Sequence, residues 1–167
     1  MIKVEDNLKI RRMKPEDMES VIEMVRRLKK INEEFDSSFI VRDDIKSEAE
    51  KYLTDTMKDP EKYIMLVAEW KKKVVGIIKV DILERICYEP RHEARIVEFY
   101  IMPEFRRKKV GHALMDEVSA ILKKRGISLI SAEFPSLNLI ALGFYKKNGY
   151  RDLVSIYGKQ ITNESEE

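Results

Sequence analysis

Apolar and charged residues alternate at the start of the chain, then change to a helical spacing. Leu8 and Ile10 interleave with Lys9 and Arg11, a period of two that predicts a strand over Leu8–Arg12. Pro15, Glu16 and Asp17 open a helix, because proline suits the first turn and acids suit the positive end of the dipole. Met18, Val21, Ile22, Val25 and Leu28 then give it one apolar stripe. Asn32–Asp43 is polar and reads as a loop. Ile45, Ala49, Tyr52, Leu53 and Met57 mark a second helix that must stop before Pro60. Tyr63–Glu69 and Val74–Leu83 read as strands joined in a hairpin through Trp70, Lys71, Lys72 and Lys73. Glu84–His92, with Pro90, is a loop. Arg95–Met102 is apolar on both faces, as a central strand is. Val110, Ala113, Leu114, Val118, Ile121 and Leu122 form a third helix, closed by Gly126 behind Lys123, Lys124 and Arg125. Ile127–Phe134 is the next strand, so a parallel pair with a right-handed crossover is expected. Leu139–Asn148 is a short helix capped by Asn138 and ended by Gly149. A last strand is expected within Arg151–Ile161, and Thr162–Glu167 reads as a disordered acidic tail.

Composition narrows this to one α/β (α+β) domain over residues 1–161. The chain has 167 residues, 44% hydrophobic, enough for a single core. Its 32 basic and 30 acidic residues leave a net charge of +2, which gives no electrostatic footprint for nucleic acid. The longest apolar run, Tyr63–Ala68, is far short of the ~20 residues a membrane span requires. The N-terminus lacks the apolar stretch of a signal peptide. Cys87 is the lone cysteine, so no internal disulfide can form, and a cytoplasmic location is expected. No Cys/His cluster has metal spacing, and no metal is expected.

Two segments carry chemistry. Met102–Leu114 reads MPEFRRKKVGHAL and joins a buried strand to an amphipathic helix. Such a junction exposes unpaired backbone N–H groups and a partial positive charge, which suits a pyrophosphate. Arg106, Arg107, Lys108 and Lys109 strengthen that field; a solvated basic turn is the plainer alternative. A Walker loop needs GK[ST] and a dinucleotide fingerprint needs three spaced glycines, and neither is present. The second segment, Asn138–Tyr150, reads NLIALGFYKKNGY. Its Asn138, Ala141, Phe144 and Gly149 all have ordinary roles as cap, core and helix stop. Tyr145 is the position packing explains least.

Together the two segments resemble the signature segments of the GNAT superfamily of N-acetyltransferases. Arg106 and Gly111 fit the first and last places of Arg/Gln-x-x-Gly-x-Gly/Ala, while Lys109 stands where the family usually has its first glycine. Asn138, Ala141, Phe144, Tyr145, Gly149 and Tyr150 fit Asn-x-x-Ala-x-x-Phe/Leu-Tyr-x-x-x-Gly-Phe. The resemblance implies a mixed, twisted central sheet flanked by helices on both faces. Its two parallel strands, Arg95–Met102 and Ile127–Phe134, should splay and hold acetyl-CoA. It further implies a cofactor site of Phe99, Tyr100, Ile101, Arg106, Arg107, Lys108, Lys109, Val110, Gly111, His112, Asn138 and Tyr145.

The implied reaction moves acetyl from acetyl-CoA to a primary amine by direct attack in a ternary complex. An amine with a pKa of ~10.4 must first lose a proton. Glu98, expected to share one face of its strand with Ile96 and Tyr100, and Glu133, five residues before Asn138, compete as base. The plainer alternative for each is an ion pair, with Lys79, Arg95 or Arg91 as partner. His92 and His112 are weaker candidates. Tyr145 can protonate the departing thiolate, and an N–H of Phe99–Ile101 can meet the oxyanion. In the family, the segments matching Lys30–Arg42 and Glu84–His92 shape the acceptor site. Glu33, Glu34 and Asp36 there favour a cation such as a polyamine, a lysine or a peptide N-terminus, against the reading of ordinary solvated acids. The rival reading is a non-catalytic acyl-CoA-binding sensor or interaction module. No nucleic-acid or membrane partner is expected, and monomer and homodimer stay equally open.

Overall fold

The computed structural model describes residues 7–162. A five-stranded sheet has the order β1-β2-β3-β4-β5. Its strands are β1 (Leu8–Arg12), β2 (Tyr63–Trp70), β3 (Lys73–Glu84), β4 (His92–Ile101) and β5 (Ile130–Ala132). The first four pair antiparallel and β5 runs parallel to β4, so the sheet is mixed. Its helices are α1 (Met18–Glu33), α2 (Ile45–Lys58), α3 (Val110–Lys124) and α4 (Leu139–Lys147).

Alternation along the strands divides the core between two faces. Met65, Val67, Val74, Ile77 and Tyr100 meet Val21, Met24 and Val25 of α1 and Ala49 and Leu53 of α2. Ile64, Leu66, Ala68, Val75, Ile78, Val80 and Ile96 meet Val110, Leu114, Val118 and Leu122 of α3 and Tyr145 of α4. Helices therefore cover both faces of the sheet. Gly76 lets α3 and β4 close on β3: a Cβ there would sit 2.7 Å from Ile101 Cδ1 and 3.4 Å from Val110 Cγ1. Arg11 on β1 ties the entry to α1 with two bonds to the buried Asp17 carboxylate, at 2.7 and 2.9 Å.

Several expectations need correction. The last strand does not form. Arg151–Thr162 is exposed and outside any strand, because a strand needs a hydrogen-bonded neighbour and three-residue β5 offers little edge. Most of the expected Ile127–Phe134 strand is extended chain, and only Ile130–Ala132 pairs. α1 runs through Glu33, and Ser37–Phe39 coils into a short 3₁₀ turn inside the expected loop. His92 is not in a loop but starts β4. The expected acidic tail lies, beyond Thr162, outside the described residues.

Candidate active site

β4 loses its parallel neighbour halfway along. β5 pairs with it only over Ala94–Ile96, and the Glu133 N–H then donates to the Ile96 carbonyl at 3.1 Å. Beyond that, one edge of β4 through Ile101 has no strand beside it. At the same level β4 bulges: Lys79 faces Glu98 but Val80 faces Ile96, so Val97 has no partner on β3. The extra residue reverses the alternation. Ile96 points toward α3 and α4, whereas Tyr100 points toward α1 and α2. Glu98 bonds side chains of α1 and α2. The expectation that Ile96 and Glu98 share a face is thus overturned by the bulge.

The N-terminus of α3 lies past the open end of β4. Lys109 precedes the helix in the left-handed region, φ 60° and ψ 18°. The sequence replaced a glycine by lysine, yet the backbone takes a conformation that glycine adopts without penalty. No intrahelical acceptor exists for the first N–H groups of α3, and no acceptor among the described residues meets those of Lys109, Val110, Gly111 and His112. Gly111 allows the close approach: a Cβ there would lie 3.3 Å from Phe99 Cζ. The Arg106 guanidinium donates to the Ile101 carbonyl at 3.4 Å. Lys108 Nζ lies over the rings of Trp70, at 5.1 Å, and Phe105, at 5.5 Å. Arg107, Lys109 and His112 are exposed. This turn, with its four aligned donors and cations, fits a pyrophosphate.

α4 sits beside this opening. The Asn138 side chain caps it by accepting from the Ala141 N–H at 3.1 Å. Phe144 packs 5.9 Å from the ring of Phe99 on β4 and 6.4 Å from that of His112 on α3. Tyr145 is buried, stacked on Phe134 at 5.3 Å, with Phe144 and Tyr150 edge-on at 5.1 and 5.0 Å. Its ring is therefore well explained by packing, contrary to the sequence reading, but its hydroxyl is not. That hydroxyl has no hydrogen bond among the described residues, and burial pushes its pKa up, with Tyr150 adding to the rise. It stays a proton donor at neutral pH.

The two candidate bases have different settings. Glu98 is 4% exposed. Its Oε1 accepts from Lys29 Nζ at 2.6 Å and from the Tyr52 hydroxyl at 3.3 Å. Its Oε2 is buried with no partner among the described residues, a costly state that calls for a reason. Glu133 is exposed at the end of β5. Tyr52 bonds Glu98, and its pKa is raised first by burial, then by the charges of Glu98, Asp81 and, more weakly, Glu133. His92 stands six residues before Glu98, ~20 Å along the strand, too far to serve the same site.

The expected ion partners are engaged elsewhere. Lys79, only 1% exposed, pairs with Asp81 and lies between the rings of Tyr52 at 4.7 Å and Tyr63 at 4.4 Å. Arg95 pairs with Glu93, and Arg91 with Glu84. Glu33 accepts from the Val41 N–H and Lys30, and Asp36 caps Ser38, so two of the three acids expected to attract a cation serve local structure. Lys29, Tyr52 and Asp81 were missed. The signal for Tyr52 and Asp81 was Lys79, a lysine beside the apolar run Val74–Ile78, which demanded polar company. Among the described residues no His/Cys/Asp/Glu group is arranged to hold a metal ion. Nor is any helix among them long and apolar enough to cross a membrane.

The sequence model of the acetyltransferase (GNAT) family matches residues 28–150, which include β4, the α3 turn and α4. The chain belongs to this family. It is an acetyl-CoA-dependent N-acetyltransferase, and its splayed β4 and β5 are the GNAT strand pair. A spermidine N(1)-acetyltransferase of Thermoplasma acidophilum is 28% identical over 153 residues, covering 87% of this chain and 89% of the relative. A PaiA N-acetyltransferase from Thermoplasma acidophilum, solved in complex with coenzyme A, superposes with a TM-score of 0.69 at 24% identity, covering 86% of this chain and 89% of that one. A predicted acetyltransferase with acetyl-CoA from Clostridium acetobutylicum has a TM-score of 0.73 at 16% identity, covering 92% and 96%. These structures share the GNAT fold.

Proposed function

We propose that this GNAT acetylates a primary amine of a flexible polycation such as a polyamine, in one ternary complex. The carrying observation is Glu98, a buried carboxylate beside the unpaired edge of β4 with one oxygen left without a partner. That oxygen is placed to accept a proton or hydrogen bond from an incoming ammonium. Glu133, exposed at the end of β5, adds negative charge near Tyr52, which suits a substrate carrying more than one cation. The spermidine-acetylating relative supports the same class.

In this reading the thioester is the activated acyl donor. The N–H groups of Lys109–His112 hold the pyrophosphate, and Arg107 and Lys109 add to the field. Phe99, Tyr100 and Ile101 line the open edge, where a peptide N–H meets the developing oxyanion. Asn138 holds the first turn of α4, and Tyr145 supplies the proton to the departing sulfur. Glu98 takes the proton from the amine, with Glu133 drawing the cation in from outside.

The test is release of CoA thiol from acetyl-CoA with spermidine, spermine, lysine peptides and peptides with free N-termini. Polyamines should give the highest kcat/KM. A preference for peptide N-termini of at least tenfold would overturn the polyamine reading while leaving the base and acid in place.

A further inference from the structure

Among the described residues, Lys29 is the one cation paired with the proposed base. It comes from the second half of α1, crosses to β4, and puts its ammonium 2.6 Å from Glu98 Oε1. The side chain keeps 35% of its surface exposed while its carboxylate partner is 4% exposed. An acceptor amine awaiting deprotonation would sit in just this relation to the base. The residue whose side chain holds Lys29 is also the residue whose backbone borders the unpaired edge of β4.

We propose that Lys29 is an intramolecular acetyl acceptor, so that the enzyme acetylates its own Lys29. The proposal rests on the reading of Glu98 as base. Glu98 takes one proton from the Lys29 ammonium. The freed amine attacks the thioester carbonyl, the C–N bond forms, and the nitrogen gives its second proton to solvent as the C–S bond breaks. The departing thiolate leaves as thiol with the proton of Tyr145, which is refilled by the proton that Glu98 first took, passed through solvent. The net change is acetyl-CoA and lysine ammonium to acetyl-lysine, CoA thiol and one released proton. Transfer removes the positive charge of Lys29 and with it the ion pair to Glu98. Polyamine and Lys29 therefore compete for one carboxylate, and self-transfer should be slowed by saturating spermidine.

The experiment incubates the full chain with acetyl-CoA alone and maps the product by peptide mass spectrometry. The peptide carrying Lys29 should gain one acetyl group at a first-order rate independent of protein concentration. In Glu98→Gln that rate should fall about 100-fold, the usual loss of a general base. Lys29→Arg should abolish the modification at this position, with CoA affinity by calorimetry as the check that the chain is folded. Three results would overturn the inference: no acetyl at Lys29 in an enzyme that acetylates spermidine, an equal rate in Glu98→Gln, or a rate proportional to protein concentration. A preparation that acetylates neither spermidine, peptide amines nor itself would instead overturn the proposed function.

Discussion

Replacing Tyr145 by phenylalanine separates packing from chemistry at one position. The ring stacks on Phe134 and meets Phe144 and Tyr150 edge-on. Phenylalanine keeps all three contacts. The hydroxyl has no hydrogen bond among the described residues, so removing it breaks none of those, and stability should change by no more than ~0.5 kcal/mol. At ~2–4 °C per kcal/mol for a domain of this size, Tm should stay within ~2 °C. Alanine is the contrasting variant. It strips a buried aromatic ring, costs ~3–5 kcal/mol and lowers Tm by roughly 10 °C or more. The catalytic effect of Tyr145→Phe is separate. A missing proton donor at a thiolate leaving group should lower kcat by ~10- to 100-fold, which is ~1.4–2.7 kcal/mol of barrier. KM for acetyl-CoA should hold, since the proposed pyrophosphate contacts lie on α3. Steady-state thiol release at neutral pH, with thermal unfolding followed by circular dichroism, measures both. Wild-type kcat in Tyr145→Phe refutes the proton-donor role, because nothing else about the site has changed.

Glu98→Gln should cut kcat/KM ~100-fold, flatten its rise with pH and leave CoA affinity unchanged by calorimetry; a loss under about threefold would move the base elsewhere. Lys109→Gly relieves a left-handed lysine that costs ~1–2 kcal/mol, partly offset by the looser unfolded chain. A net gain of ~0.5–1 kcal/mol should be seen in urea unfolding, with weaker CoA binding as the cation is lost. Changing Lys108 and Lys109 together to Glu should weaken CoA by about tenfold in calorimetry; unchanged affinity would place the phosphates elsewhere. Asp17 is held below the usual carboxylate range chiefly by the Arg11 hydrogen bond, and Glu23 at about 2 chiefly by Arg26. Both folded pKa values are depressed, so their stabilisation is complete above the unfolded value of ~4 and lost as pH falls through the folded values. Asp17→Asn should flatten the acid limb of a Tm-versus-pH curve.

Elements whose residues face one way were legible in the sequence. β1 matched Leu8–Arg12, and α2, α3 and α4 matched their apolar stripes and stops, because period and caps are local properties. The α3 turn was legible from its cations, and its left-handed entry was not, since lysine carries no preference for that conformation. The course of Arg151–Ile161 depends on whether another strand is free to receive it, which no local pattern records. Lys29 was hidden for a related reason. It follows Leu28 at the border of the α1 stripe and reads as a surface lysine until β4 is placed beneath it. The Glu98 site depends on a one-residue mismatch between β3 and β4, a property of two strands together.

That mismatch makes β4 a strand with two parities. Before Val97, even-numbered residues such as Ala94 and Ile96 serve the α3 side; after it, odd-numbered Phe99 and Ile101 do. An unbulged strand would send Glu98 into the apolar layer under α3, where neither Lys29 nor Tyr52 can reach it. Deleting Val97 would keep Glu98 opposite Lys79 on a regular ladder, whereas pairing Val97 with Lys79 would invert every side chain downstream of it. The register between β3 and β4 specifies this site as much as the carboxylate it places.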